Sequence, residues 1–404
     1  MASRVVESMA QLQKHSMIHT GQNMDMLVPK QHLSIDHPFS RDVREYNPSN
    51  TAALDAPVYL DVPKTGSLGN VMIATTWNDT SSGTYCPQLG MKCIKTVRLI
   101  SDGNNVQEFE YKPAMNATLH SMPKDRAEAL LAAADGGDTT PGTTTGGPHG
   151  PYLAVLPLFN SNLVHNDGYV QPIPVSSLAG VLRIELVMEP LSACLAAGAT
   201  GGGLNSLKFY VERFLATGEK HNMVKKEKWN FKSVDFQTFR STNNLATATP
   251  ESVQITSFTG HINRLFCYMP TAANIAANVA FTGFTAATGG FEIELSGERF
   301  YNITSDNARG EIAQVQNLLM YDNHRALDIV DSAGTSSGPV YWVPFSVDKS
   351  YRGFAGALNA INSGVREITI NVNQSSGGNA KLDVVAIYDA HFYINEEGTL
   401  RREK

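Results

Sequence analysis

The sequence predicts an all-β protein built of two tandem eight-stranded antiparallel jelly-roll barrels, a double jelly roll, with short helices in the loops. Three observations carry this prediction: short segments that alternate apolar and polar residues, turn residues between them, and an internal repeat of roughly 185 residues. The chain has 404 residues, 42% of them hydrophobic, which is enough for two such domains.

Alternating segments begin near residue 50 and predict the strands of the first barrel. Val58, Leu60 and Val62 alternate with polar neighbours, and the Asp102-Gly103 pair marks a turn between two later strands. The predicted strands are 57–63, 71–77, 93–100, 106–111, 152–159, 181–188 and 207–214.

A helix and two loops interrupt this barrel. Residues 124–134 are alanine-rich with good helix formers throughout, so they predict a helix. Residues 135–150 are mostly Gly, Thr and Pro without a large apolar side chain, which predicts an exposed, mobile loop that tolerates insertion. Residues 124–151 together are the predicted exposed insertion, and the glycine-rich residues 196–203 predict a second loop.

The second half of the chain repeats the order of the first. Residues 180–188 align with residues 364–372, and their apolar positions coincide at an offset of 184. The predicted strands are 234–239, 253–258, 261–269, 291–295, 299–303, 340–347, 365–372 and 382–394, with a helical stretch at 310–320. Chance alternation of apolar residues is the alternative to a true repeat.

This pattern divides the chain into five parts. They are an N-terminal arm (1–49), a first jelly roll (50–215), a basic linker (216–230), a second jelly roll (231–395) and a C-terminal tail (396–404).

Composition excludes several classes of protein. A net charge of −6 and a pI near 6.0 argue against a protein wrapped on nucleic acid, so no sequence-specific nucleic-acid binding is expected. Charged residues are only 17%, which predicts that much of the surface is covered by other subunits.

The four scattered cysteines are expected to be free buried thiols. Polar residues break the apolar ones at the N-terminus, so we expect synthesis inside a cell without a signal peptide.

The motifs of double-barrel enzymes are absent. A bicupin needs an HxH motif to hold its metal, and none of the eleven histidines forms one. The only GxSxG match, residues 334–338, lies in a Ser/Gly loop before a strand, where a nucleophile elbow would need a helix after it. We therefore predict no catalytic residue, no metal and no cofactor. A bicupin-like metal enzyme and a carbohydrate-binding β-sandwich protein remain the alternatives.

Several segments resemble the major capsid proteins of the double-jelly-roll lineage, which includes nucleocytoplasmic large DNA viruses, virophages and tectivirus-like phages. Residues 341–346 (YWVPFS), followed by Gly356, Leu358 and Asn359, are similar to the closing region of these proteins. Ile361-Asn362 stands where the family has Ser-Arg, which puts any role of that Arg in doubt. Two further segments are similar to first-barrel segments of the family, residues 94–111 and 174–184.

The resemblance implies a function. It implies a structural major capsid protein that forms homotrimers, whose six barrels make a pseudo-hexagonal tile in an icosahedral shell. The implied location is the virion, and the implied partners are other copies of the chain, minor capsid and penton proteins, and an internal membrane.

Two segments are candidates for the inner face of such a trimer, because barrel entrances and the inter-barrel linker tend to fall at one end of a tandem jelly roll. The arm carries apolar residues at roughly helical spacing, and the linker is basic; such a pair suits an anionic lipid surface or a minor protein. The candidates are Val5, Val6, Met9, Leu12, Lys220, Lys225, Lys226 and Lys228. An ordinary solvated linker is the alternative.

Overall fold

The computed structural model describes most of both predicted barrels. The described residues are 39–136, 148–164, 170–216, 229–245, 250–287, 290–303, 329–345, 358–359, 367–372 and 379–403.

The first barrel consists of two four-stranded antiparallel sheets. Its strands are β1 (Phe39–Tyr46), β2 (Pro57–Val62), β3 (Ser67–Ser82), β4 (Ile94–Ser101), β5 (Asn104–Glu110), β6 (His149–Val155), β7 (Leu182–Met188) and β8 (Thr200–Ala216). One sheet has the order β1-β8-β3-β6 and the other has the order β2-β7-β4-β5.

The second barrel has the same connectivity. Its strands are β9 (Asn230–Arg240), β10 (Glu251–Ile255), β11 (His261–Tyr268), β12 (Phe291–Leu295), β13 (Glu298–Ile303), β14 (Val340–Pro344), β15 (Leu358–Asn359), β16 (Ile368–Val372), β17 (Asp383–Ile394) and β18 (Leu400–Glu403). One sheet has the order β9-β17-β11-β14, extended by β15 beside β11 and β18 beside β17, and the other has the order β10-β16-β12-β13.

The predicted double jelly roll is therefore confirmed, including its repeat. The repeat segments 180–188 and 364–372 contain β7 and β16, which have the same place in the two barrels. Strand β7 lies between β2 and β4, and β16 lies between β10 and β12. Alternating burial explains why these strands could be located: β7 and β16 bury every second side chain.

Five short helices lie in the described loops. They are α1 (Leu89–Lys92), α2 (Tyr111–Leu119), α3 (Lys124–Ala134), α4 (Leu191–Cys194) and α5 (Ala272–Ala276). The predicted helix over 124–134 is confirmed as α3, whereas α2 was not predicted. The predicted helical stretch 310–320 lies outside the described residues.

The predicted exposure of residues 124–151 needs correction at its start. Ala127, Leu131 and Ala134 of α3 are completely buried, and Asp135 is only 1% exposed. The helix covers the β6 side of the barrel instead of projecting from it. Residues 137–147, the centre of the predicted mobile loop, lie outside the described residues.

Three predicted boundaries differ from the strands. Strand β1 lies within the predicted arm, and β18 lies within the predicted tail. The predicted glycine-rich loop is half strand, because β8 already begins at Thr200. Gly202 has φ +79°, and a Cβ there would come within 2.2 Å of the Tyr85 hydroxyl, so this strand end needs glycine.

The β9-β17-β11-β14 sheet is buried on both faces. Leu265, Cys267 and Ala386 point into the second barrel, whose core they share. Phe266 and Ile387 point the other way and join the core that contains the first barrel. One sheet thus separates two hydrophobic cores and ties the barrels together.

Candidate assembly interfaces

The contact between the two barrels is an aromatic layer. The sheet of the second barrel presents Phe236, Phe266 and Phe392, each at most 4% exposed. Phe109 of β5 lies 5.5 Å from Phe236 between ring centroids, and Phe159 stacks on Phe392 at 3.7 Å with planes 5° apart. Such pairs stabilise a contact by about 0.5–1.5 kcal/mol each beyond the area they bury.

This contact joins the edge of one barrel to the sheet face of the next. The first barrel contributes its edge strand β5, helix α2 and the segment after β6. The His120 ring, just beyond α2, lies 5.4 Å from the Phe266 ring. Asn116 Nδ2 donates to the carbonyl oxygen of Ala280 at 2.9 Å. Because different surfaces of the two barrels meet, the contact is head-to-tail.

A completely buried carboxylate lies inside this contact. Asp235 of β9 is 0% exposed, and it accepts hydrogen bonds from Gln107 Nε2 at 3.1 Å and from the Tyr388 hydroxyl at 2.7 Å. Arg402 of β18 forms an ion pair with the same carboxylate. Gln107 Oε1 in turn accepts from the backbone N of Phe159 at 3.0 Å. A buried charge needs such a full set of partners, so the network orients the barrels as well as joining them.

The last residues of the chain close the contact from its end. Leu400 is completely buried, and its backbone N donates to Ser101 Oγ at 3.1 Å. Arg401 Nη1 donates to Asn104 Oδ1 at 3.1 Å. Strand β18 therefore pairs with the second barrel while it holds the β4–β5 hairpin of the first.

The corresponding sheet of the first barrel is left uncovered by the described residues. Val43 of β1 is 60% exposed, the largest value among exposed large hydrophobic residues of the described part. Met72, Leu153, Val155 and Tyr210 share this face and are only partly buried. We call it the open face. Two ion pairs cross it, Arg41 with Glu212 and Lys208 with Glu45.

In the second barrel, the edge that corresponds to β5 is likewise uncovered within the part of the chain that the structure describes. Phe300 of β13 is 50% exposed, and its ring lies 5.2 Å from that of Phe345. Within the described residues of one chain, the β5 edge of the first barrel thus covers the β9-β17-β11-β14 face of the second. The open face of the first barrel and the β13 edge of the second are left without such a contact by these residues.

The outer surfaces of the other two sheets are charged instead of apolar. On the first barrel, Arg98 forms ion pairs with Glu108 at 2.8 Å and Glu185 at 2.9 Å, and Arg183 forms one with Asp61 at 2.7 Å. Exposed pairs of this kind contribute little stability, and they are typical of a solvated surface.

Asp389 of β17 is a partly buried carboxyl group near one end of the second barrel. Its side chain accepts a weak hydrogen bond from Asn263 Nδ2 at 3.5 Å. Burial raises the pKa of Asp389 to about 6, although Asn263, Arg264, Lys232 and His261 act in the opposite direction.

We expect Asp389→Asn to stabilise the protein at pH 7 by on the order of 2 kcal/mol. The pKa in the folded state lies above the ordinary 3.8. The protonated group's stabilising contribution to the free energy of unfolding is therefore fully present below about pH 4. It is lost as the pH rises through about 6, because ionisation in the folded state is unfavourable. Urea unfolding at pH 4.5 and pH 7.5 measures this difference. Equal pH dependence in the variant and the wild type would contradict the assignment.

None of the site residues predicted from the sequence is among the described residues. Val5, Val6, Met9, Leu12, Lys220, Lys225, Lys226 and Lys228 are all outside the described residues. Asp235 was missed, although one signal was present: it is an acidic residue between the apolar Val234 and Phe236 of a predicted strand. Its partners could not be found from spacing, since Arg402 is 167 residues away.

The structure also locates the features considered for other functions. The GxSxG match lies in a turn followed by strand β14, as expected for a chance match, and its central Ser336 is exposed in that turn. All three tryptophans are at most 2% exposed, so none offers a platform for a sugar ring. The four cysteines are free and buried, as predicted, and burial raises the pKa values of Cys86 and Cys93 to about 12.

The described residues also bear on membrane spans and metal binding. No helix in them is long and apolar enough to span a membrane. No group of three or more His, Cys, Asp or Glu side chains in them is arranged to hold a metal ion.

Comparison with known proteins supports the architecture. No family model and no curated protein matches the chain. Solved structures match nearly its whole length. PBCV-1 VP54, as fitted into a reconstruction of the virophage Sputnik, has a TM-score of 0.68 at 11% identity and covers 92% of this chain and 98% of its own. The Faustovirus major capsid protein has a TM-score of 0.56 at 12% identity, covering 90% and 91%. The mavirus major capsid protein has a TM-score of 0.52 at 12% identity, covering 89% and 90%. The resemblance to double-jelly-roll capsid proteins is thus confirmed for the fold.

Proposed function

We propose that the protein is a structural major capsid protein that assembles as homotrimers into the icosahedral shell of a virus, without a catalytic role. The shared fold of the Faustovirus and mavirus major capsid proteins supports the capsid role. The observation that carries the trimer is the open face of the first barrel, since the corresponding face of the second barrel is completely covered within the chain.

The geometry of the inter-barrel contact suggests how copies join. The β5 edge of the first barrel covers the β9-β17-β11-β14 face of the second. The β13 edge of the second barrel, with exposed Phe300, is the corresponding element for covering the open face of another copy. Repeating a head-to-tail contact forms a ring if the rotation closes. The family resemblance implies a ring of six barrels. Because each chain has two barrels, three chains would close that ring.

The decisive experiment is sedimentation velocity of the purified protein at micromolar concentration, followed by electron microscopy. We expect a particle of three times the 43.8 kDa chain mass with a pseudo-hexagonal outline, or assembled shells. A 43.8 kDa monomer under non-dissociating conditions would refute the trimer.

The same proposal assigns an inner face to the arm and the linker, with minor capsid proteins or an internal membrane as partners. Support comes from the chain ends that flank them. Phe39, the first described residue, pairs with Ala216, the first residue of the predicted linker. Asn230 pairs with Tyr393, and the nearby Gly398 carbonyl oxygen accepts from Ala179 N of the first barrel at 2.9 Å. These contacts support an attachment of both segments at one end of the molecule.

Flotation of purified trimers with anionic vesicles tests this assignment. We expect the triple change of Lys225, Lys226 and Lys228 to Gln to reduce vesicle binding, because each near-surface lysine contributes on the order of 1 kcal/mol. Deletion of residues 1–17 should reduce it further by removing apolar burial. If both variants float and assemble as the wild type does, the segments are ordinary solvated chain.

A further inference from the structure

Two of the four cysteines lie opposite each other across a short backbone pairing in the first barrel. Tyr85, which follows β3, forms an antiparallel bridge with Leu195, which follows α4. Next to this bridge, the backbone N of Cys86 donates to the carbonyl oxygen of Cys194 at 2.9 Å. Backbones paired in this way lie about 5 Å apart, and a disulfide spans Cα atoms roughly 4.4–6.8 Å apart. The backbone thus holds the two cysteines at a separation that a disulfide can bridge.

The Cys86 side chain is directed toward the segment that contains Cys194. Its Sγ atom lies 3.9 Å from the carbonyl oxygen of Ala193, the residue immediately before Cys194. Both cysteines are completely buried in the same hydrophobic core. Burial raises the pKa of the Cys194 thiol, and Cys93 and Cys86 raise it further, so the three sulfur atoms lie within electrostatic range of one another.

Cys93 lies near this pair but is held by the helix that precedes it. Its Sγ atom donates to the carbonyl oxygen of Gly90 in α1 at 3.3 Å. Burial, and then the nearby Cys86 thiol, raise its pKa to about 12. Because Cys93 contacts its own helix while Cys86 contacts the segment of Cys194, the pair best placed for a bond is Cys86 with Cys194.

We propose that Cys86 and Cys194 form a disulfide when the protein meets a small oxidising disulfide such as oxidised glutathione. One protein thiolate attacks a sulfur atom of oxidised glutathione, which gives a mixed disulfide and releases one reduced glutathione. The other protein thiolate then attacks the protein sulfur of that mixed disulfide and releases the second reduced glutathione. The protein thiols lose two protons and two electrons in total, and the glutathione disulfide is reduced by the same two electrons.

The bond would act as a lock on the first barrel. It would tie the connection after β3 to the loop between β7 and β8. Cys86 and Ala193 are 107 positions apart along the chain, so the bond closes a long loop, and such bonds restrict the unfolded chain most. The reducing interior of a cell keeps both thiols free, whereas oxidising surroundings favour the bond. The barrel would therefore be more stable in oxidising surroundings than in reducing ones.

Incubation of the full chain with oxidised or with reduced glutathione, followed by alkylation of the remaining thiols, tests the site. Each sample is treated folded and also during refolding from urea, where burial no longer limits access to the thiols. Peptide mass spectrometry should find the Cys86–Cys194 cross-link in the oxidised samples and only alkylated cysteines in the reduced ones. We expect the oxidised wild type to unfold roughly 5–10 °C above the reduced wild type. Cys194→Ser should lose both the cross-link and the difference between its own oxidised and reduced samples.

The matched control is Cys267→Ser, because Cys267 is completely buried in the core of the second barrel. This variant should keep the cross-link and the full thermal difference. A cross-link from Cys86 or Cys194 to Cys93 would overturn the assignment of the pair. Free Cys86 and Cys194 after refolding in oxidised glutathione would overturn the proposed bond. Equal midpoints of cross-linked and reduced wild type would overturn the lock.

Discussion

Replacing Arg402 with methionine is expected to reduce the free energy of unfolding by about 3–5 kcal/mol, because it leaves a buried charge without its counter-ion. Asp235 is 0% exposed, and the side chain of Arg402 is 20% exposed. After the change, Gln107 and Tyr388 still donate to the carboxylate, but no cation remains beside it. Denaturant unfolding of the purified protein at pH 7.5 measures the loss.

Two further variants distinguish this effect from a general effect of the C-terminal strand. Arg401→Met alters the neighbouring residue, whose guanidinium donates a hydrogen bond to the Asn104 side chain of the hairpin. This change should cost less than about 1 kcal/mol. Adding Asp235→Asn to Arg402→Met should recover a large part of the loss, since no charge is then left unpaired. If Arg402→Met costs no more than Arg401→Met, the ion pair is unimportant.

Replacing Val43 with lysine is expected to abolish the proposed trimer while leaving the isolated chain folded. Val43 is 60% exposed in one chain and lies directly across from Glu212 on the neighbouring strand, so a lysine is accommodated there. In the proposed assembly the same position is covered by another copy, and a lysine would be desolvated. We expect each subunit contact to weaken on the order of 10²–10³-fold.

Sedimentation velocity across a range of concentrations measures this change. Val181→Lys is the matched control, because Val181 is 47% exposed but precedes β7 and lies away from the open face. The control should sediment as the wild type does. If the Val43→Lys variant still forms a trimer, the subunit contact lies on another surface. If circular dichroism shows that this variant is unfolded, Val43→Ser replaces it in the same experiment.

Much of the fold could be predicted because its strands alternate. In β7, Leu182, Ile184 and Leu186 are buried and the residues between them are not, so the pattern locates the strand and its inner face. Helix α3 was equally clear from its alanines. Helix α2 was missed because residues 111–119 continue directly from β5 without a turn signal, and Pro113 lies near its start.

The interface residues were harder to predict than the strands. Strands β11 and β17 are buried almost continuously, so their apolar runs indicate burial but not which core each side chain joins. Asp235, Gln107 and Arg402 come together only because two barrels and the last strand meet.

That the chain forms two similar barrels follows from its residue pattern, because apolar alternation and turn residues act over a few neighbouring residues and occur in both halves. Which outer faces are covered depends on the arrangement of the barrels in space. The outer side of β11 bears Phe266 and the outer side of β3 bears Met72; the first is buried and the second is partly exposed. That difference depends on where one barrel lies against the other, and such contacts form between residues far apart in the chain.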